Sequence, residues 1–129
     1  MVHVALAFIL AITGTGKESS LNYEEAFSKA EKEKKPLMIL VGARWCASCQ
    51  VMKRDTIEPM KESGNLKDVI VVLVDKDERP ELAEQLMRGE TLPQVVVFSQ
   101  KSGNWKRFGL TGMQSKSRIG ELLQRASAR

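Results

Sequence analysis

An α/β fold, a mixed sheet of four to five strands with helices on both faces, is predicted by three features of the sequence. Two short, continuous apolar runs at residues 37–41 and 69–74, and a third segment from Gln94 to Phe98 that is apolar after its first residue, have the length and composition of buried strands. Segments with apolar residues at helical spacing separate them. A turn signal, Ser102-Gly103-Asn104, then leads into an alternating segment at 105–108 that reads as the second arm of a hairpin. The order helix, strand, helix, strand, helix, strand, strand, helix fits a single mixed sheet covered on both sides.

Each element has a local reason. Asn22 with Glu25 three residues on forms a capping pair, and Tyr23, Ala26, Phe27 and Ala30 follow at helical spacing. This helix is expected to end near Lys35, before Pro36. Leu37, Met38, Ile39, Leu40 and Val41 lie between Pro36 and Gly42 as a strand buried on both faces, which delivers the chain to its two cysteines. From Cys46 to about Glu58 there is no Gly or Pro, and Cys49, Met52 and Thr56 share one helical face. Pro59 is expected to stop or kink that helix. Gly64-Asn65 marks a turn before the second strand, which ends at Asp75. Pro80 suits a first helical turn, with Leu82, Leu86 and Met87 as the stripe of a helix that stops at Gly89. After the hairpin, Ser115 or Ser117 caps a last helix carrying Ile119, Leu122, Leu123 and Ala126.

At 129 residues the chain is one domain, large enough to build a core without staples. Its net charge of +4 comes from 20 basic and 16 acidic residues, interspersed as in Glu31 to Lys35, where the run reads as a solvated helix face. With no basic stripe interleaved with aromatics, nucleic acid is not an expected partner. Residues 4–12 are uncharged and apolar but too short to span a bilayer, so no stable membrane span is expected. They have the length of a signal-peptide apolar segment and are followed by small residues, although no Lys or Arg precedes them. The expectation is a signal peptide at 1–16 and a mature domain at 17–129 in the periplasm or another exported location. The alternative is an extra N-terminal strand in a cytoplasmic protein.

Both cysteines fall in R-W-C-A-S-C-Q, residues 44–50. A closed zinc site needs four ligands, and the chain offers no further cysteine and a single histidine, His3. Covalent haem attachment requires histidine after the second cysteine, where Gln50 stands. A structural staple is disfavoured because closing so small a loop stabilises little. A reversible redox pair fits the placement. Cys46 lies where a buried strand meets a helix, so its sulfur faces unpaired N–H groups and the positive end of the helix dipole. Both favour thiolate, and helix N-termini bring such thiols from about 8.5 down to roughly 3.5–7.5. Arg44 is a candidate for further tuning. Cys49, one turn along, is placed to resolve a mixed disulfide formed by Cys46. Met52 and Met87 lie on helical apolar stripes and read as core fillers rather than copper ligands.

The chain resembles the thioredoxin superfamily through Trp45-Cys46-Ala47-Ser48-Cys49 after a buried strand and Thr91-Leu92-Pro93 before the strand at 94–98. The resemblance runs from about residue 20 to the C-terminus and implies a thioredoxin fold. It implies that Pro93 has a cis peptide bond and packs beside the cysteines, and that Leu92 presents its backbone to an extended substrate. Trp45 would supply apolar docking surface, whereas Trp105 reads as a strand residue packed on the sheet. Residues 35–59 and 74–80 are more similar to the exported bacterial branch, related to the thiol-disulfide interchange proteins. Two positions depart from cytosolic thioredoxins: Leu40 stands for a buried Asp, and Ala47-Ser48 for Gly-Pro.

The function these features point to is a thiol-disulfide oxidoreductase acting on cysteines or disulfides of protein substrates. The expectation is a monomer whose only redox group is the Cys46–Cys49 pair, with no metal bound for want of ligands, and which exchanges electrons with an upstream redox partner. The alternatives are a copper or zinc carrier using the same pair as ligands, and a thioredoxin-fold binding module without turnover. A cis proline beside the thiols serves peptide docking and has no evident use in metal delivery, which separates the first reading from the second.

Overall fold

The computed structural model describes residues 21–101 and 103–127. The predicted signal peptide at 1–16, its alternative as an extra strand, and Ser102 of the hairpin turn lie outside the described residues. The elements run α1 (Tyr23–Glu33), β1 (Leu37–Gly42), α2 (Ala47–Met52), a π-helical turn (Lys53–Ile57), α3 (Glu58–Glu62), β2 (Ile70–Asp75), α4 (Pro80–Leu86), β3 (Gln94–Lys101), β4 (Asn104–Thr111) and α5 (Lys116–Ser127). The four strands form one mixed sheet in the order β2-β1-β3-β4. β1 pairs parallel with β2 and antiparallel with β3, and β3 pairs antiparallel with β4.

The sheet is held by β1. All side chains from Leu37 to Val41 are buried, and they alternate between two cores. Met38 and Leu40 join Val95 and Val97 under Met52, Ile57, Met60, Ile119 and Leu122. Leu37, Ile39 and Val41 join Val72, Val74 and Val96 under Ala26, Ala30, Ala83 and Leu86. Fully burying such a side chain contributes about 1.5–3 kcal/mol. The β1 run alone therefore contributes on the order of a small domain's whole net stability, roughly 5–15 kcal/mol. Trp105 of β4 packs on the second core, its ring 4.9 Å from that of Phe27.

Several element ends differ from expectation, each for a local reason. α1 is capped by Asn22, whose side chain accepts the Glu25 N–H at 2.8 Å, and it closes at Lys34 in the left-handed conformation. Pro59 does not stop the second helix. Ahead of it the chain widens into a π turn, with the Glu58 N–H bonding the Lys53 carbonyl five residues back, and the proline enters α3 in its first turn. Such widening relieves the clash between a proline ring and the preceding turn, so residues 47–62 form one helical run. α4 ends at Leu86 rather than Gly89, because Met87 is extended and the Arg88 N–H is taken by the Gln94 side chain. β4 continues past Phe108 to Thr111 through Gly109, where an added Cβ would sit 2.7 Å from the Arg107 guanidinium. The cap of α5 is Ser115, which accepts the Arg118 N–H. Among the described residues no helix is long and apolar enough to cross a membrane.

An ion pair ties the start of α1 to the start of α4: Arg79 donates two hydrogen bonds to Glu24, at 2.7 and 2.5 Å. The Arg79 hydrogen bond pulls the Glu24 carboxyl from 4.5 to about 2. A carboxylate whose folded pKa is depressed contributes stability that is complete above its unfolded value and lost as pH falls through the folded one. Denaturation midpoints of wild type and Glu24→Gln are therefore expected to differ slightly above pH 4.5 and to converge as pH falls toward about 2, with high salt shrinking the gap.

Candidate active site

The site is built where β1 stops. Gly42 ends the strand, the Cys46 N–H bonds the Ala43 carbonyl at 3.1 Å, and the first helical bond runs from the Gln50 N–H to the Cys46 carbonyl at 3.2 Å. Cys46 is thus the N-cap of α2, with extended backbone, and its sulfur accepts the Cys49 N–H at 3.2 Å. A side chain that accepts an N–H from the first helical turn does the work of a capping oxygen, here with sulfur. The two cysteines are joined as a disulfide with their Cα atoms 5.2 Å apart. No acidic residue stands in the first turn of α2, so nothing there opposes the positive end of the dipole.

Both cysteines are largely covered, Cys46 at 6% and Cys49 at 8% exposure, in a small cluster with Ala43. Leu92 packs against this cluster, and Pro93 lines the same cavity as Cys49. The Leu92–Pro93 peptide bond is cis. Gly42 allows this closeness, since an added Cβ would lie 3.2 Å from both Cβ and Sγ of Cys49. The cavity, of about 320 Å³, has Leu40 and Leu73 on its apolar side and Asp75 and Glu78 at its polar rim. Leu40 and Leu73 are register partners on β1 and β2, and Leu73 is 43% exposed.

Trp45 and Arg44 turn toward the loop after β2. The Trp45 indole N–H donates to Asp77 at 2.6 Å while the side chain stays 68% exposed. Arg44 donates to Glu78 at 2.8 Å, so the cation proposed as a tuner is paired and well exposed. The loop is set by Asp75, whose carboxylate accepts the N–H groups of Asp77 and Glu78, and by the Lys76 N–H bonding the Gly42 carbonyl at 2.8 Å. Of the residues singled out from sequence, the structure brings Cys46, Cys49, Leu92 and Pro93 together and holds Trp45 and Arg44 beside them through the loop.

Sequence reasoning assigned no role to Asp75, Asp77 or Glu78, although it noted the 74–80 stretch. From sequence, Ser48 counts only as half of the Ala47-Ser48 dipeptide that tunes the potential of the pair, with no contact assigned to it. The Ser48 hydroxyl lies 3.3 Å from the Cys46 sulfur, and with a thiolate there it is the only one of the two that can donate. Serine one position before the second cysteine was the available signal.

The family model described as thioredoxin-like matches residues 18–99. Spermatogenesis-associated protein 20 of Mus musculus is 38% identical over 84 residues, which are 64% of this chain and 10% of that protein. The chain thus spans about a tenth of such curated relatives. Thioredoxin Y2, chloroplastic, of Arabidopsis thaliana is 31% identical over 120 residues, covering 89% of this chain and 66% of that protein. The solution structure of a thioredoxin from Thermus thermophilus superposes with a TM-score of 0.71 at 24% identity, covering 83% of this chain and 85% of that one, and shows the shared fold. The fold and the paired cysteines support thiol-disulfide redox activity.

A hydrogen bond to a charged group is worth about 1.5–3 kcal/mol. Ser48→Ala is therefore expected to shift the ultraviolet titration of the Cys46 thiolate to higher pH, lowering its acid dissociation constant by about tenfold.

Proposed function

This chain belongs to the thioredoxin-like family, and from that premise we propose that it exchanges its Cys46–Cys49 dithiol and disulfide with the cysteines of protein substrates. The observation that carries the reading is Cys46 as the N-cap of the helical run at 47–62, its sulfur taking the Cys49 N–H, with Cys49 one turn behind. In the reduced chain Cys46 is the thiolate. It attacks one sulfur of a substrate disulfide, forming a mixed disulfide and releasing the other substrate sulfur as a thiolate that takes a proton from water. Cys49 loses its proton and attacks the Cys46 sulfur. The mixed bond breaks, the substrate leaves with both sulfurs reduced, and the chain keeps the Cys46–Cys49 disulfide. Two electrons have passed to the substrate, and an upstream dithiol partner restores them. Run backward, the same steps oxidise a substrate dithiol, and direction follows the pair's potential against that of the compartment.

In this reading the electrons reside on the two sulfurs alone, with no bound cofactor or metal, and the chain acts as a monomer. Trp45 offers an exposed apolar face to the polypeptide, Leu92 and Pro93 supply its backbone contact, and Arg44 contributes positive charge at the rim. Leu40 leaves no carboxylate on β1 to receive the Cys49 proton, so water in the adjoining cavity, with Asp75 and Glu78 at its rim, is the acceptor.

Insulin reduction driven by dithiothreitol tests the assignment. Cys46→Ser is expected to abolish activity, and Cys49→Ser to stall with a mixed disulfide visible on non-reducing gels. Full activity in both variants, with an ordinary thiol titration near 8.5, would sink the proposal in favour of a carrier or a binding module.

Export is part of the same proposal. Residues 1–16 are expected to be absent from the mature protein, and N-terminal sequencing of the natively produced chain checks it. A mature chain beginning at Met1 would return the protein to the cytoplasm.

A further inference from the structure

The Gln94 side chain is not used by the chemistry above, yet it is the most heavily bonded polar side chain of the described residues. It is 1% exposed. Its Oε1 accepts the Arg88 N–H at 3.0 Å, and its Nε2 lies within hydrogen-bond distance of the carbonyls of Arg88 at 3.0 Å, Gly89 at 3.3 Å and Thr91 at 3.0 Å. With two amide hydrogens, one of these contacts is shared. The backbone of Gln94 is fixed inside the sheet, paired with Val41 of β1 and Thr111 of β4. The side chain is thus a strut from the sheet interior to the loop between α4 and β3.

All hydrogen bonds made by residues 88–92, among the described residues, run to this one side chain. The loop has no secondary structure of its own, contains Gly89 at φ +71°, and ends in Leu92, which packs on the cysteine cluster. A second contact reaches the segment just ahead, where Arg107 donates to the Leu86 carbonyl at 3.0 Å. A buried amide that served only its own satisfaction would find partners anywhere nearby. These partners all lie in the four residues before Leu92.

We propose that Gln94 is a positioning residue for substrate docking: it holds residues 88–91 so that Leu92 and Pro93 keep a fixed backbone edge beside Cys46 for an extended, cysteine-containing polypeptide. The inference rests on the redox reading above and deepens it. It assigns affinity for polypeptide substrates to a residue that touches neither substrate nor sulfur. Disulfides too small to reach that edge do not depend on it.

Gln94→Met keeps the length of the side chain and removes every one of these bonds. Its KM for insulin is expected to rise at least fivefold, while kcat, the rate of reducing the small disulfide 5,5′-dithiobis(2-nitrobenzoate) and the Cys46 titration stay within twofold of wild type. An unchanged insulin KM in a folded variant overturns the docking role, and so does an equal loss toward both disulfides. A wild type inactive toward both overturns the redox reading and the docking role with it. Hydrogen exchange of the wild type applies even where the variant does not fold. The Arg88 amide is expected to be protected far above an open loop, and fast exchange at Arg88 in the folded chain overturns the strut.

Discussion

The burial of β1 is the constraint on which the other parts depend. A strand apolar on both faces and paired on both edges has nowhere to go but the middle of the sheet, and this one sits between β2 and β3 with every residue from Leu37 to Val41 covered. Its alternating side chains divide the protein into two cores, one under the helical run at 47–62 and α5, the other under α1 and α4. Because β1 cannot slide without turning its side chains to the wrong core, its end at Gly42 is a fixed point. The cysteines inherit that precision. Cys46 starts the helix four residues after Gly42, and the helix continues through the π turn to Glu62, bringing Met52, Ile57 and Met60 into the core as ballast. The two largely covered sulfurs are thereby attached to the best-packed part of the molecule.

The sequence made the elements legible because periodicity and caps are local. Asn22 with Glu25, Pro36 ahead of β1, and the stripe Ile119, Leu122, Leu123 and Ala126 each announce an element without reference to the rest of the chain. What was not legible depends on partners far away in sequence. α4 ends early because a glutamine in the following strand claims the Arg88 N–H. β4 runs through Gly109 because Arg107 needs the space to reach the Leu86 carbonyl. Pro59 is a helix breaker by propensity, and only the widened turn before it shows why the helix survives.

The same division holds at the site. The cysteines were named from their own spacing and placement, and Leu92 and Pro93 from the resemblance that their motif carries. The carboxylates that hold the neighbourhood were not, since Asp77 meets Trp45 across 32 positions and Glu78 meets Arg44 across 34. The stretch after β2 looks in sequence like a solvated charged turn. In the fold it is the frame for the tryptophan, ordered by the Asp75 carboxylate and by the bond from Lys76 to Gly42. Leu40 shows the reverse case, a residue whose importance lies in what it is not. As an apolar partner of Leu73 it means that β1 itself brings no carboxylate into the cavity beside Cys49.

Gly42 separates the positions around the disulfide that are open to change from those that are tightly held. Any side chain there would press on Cβ and Sγ of Cys49 at 3.2 Å with β1 packed behind it, so a change at that wall requires the disulfide to give by a few tenths of an ångström. On the opposite side Ala47 is exposed and Ser48 only half-buried, and neither supports the core. Substitutions at these two positions can therefore change what surrounds the Cys46 sulfur, which the Ser48 hydroxyl reaches at 3.3 Å. The strand that aims the sulfurs need not be rebuilt for the change.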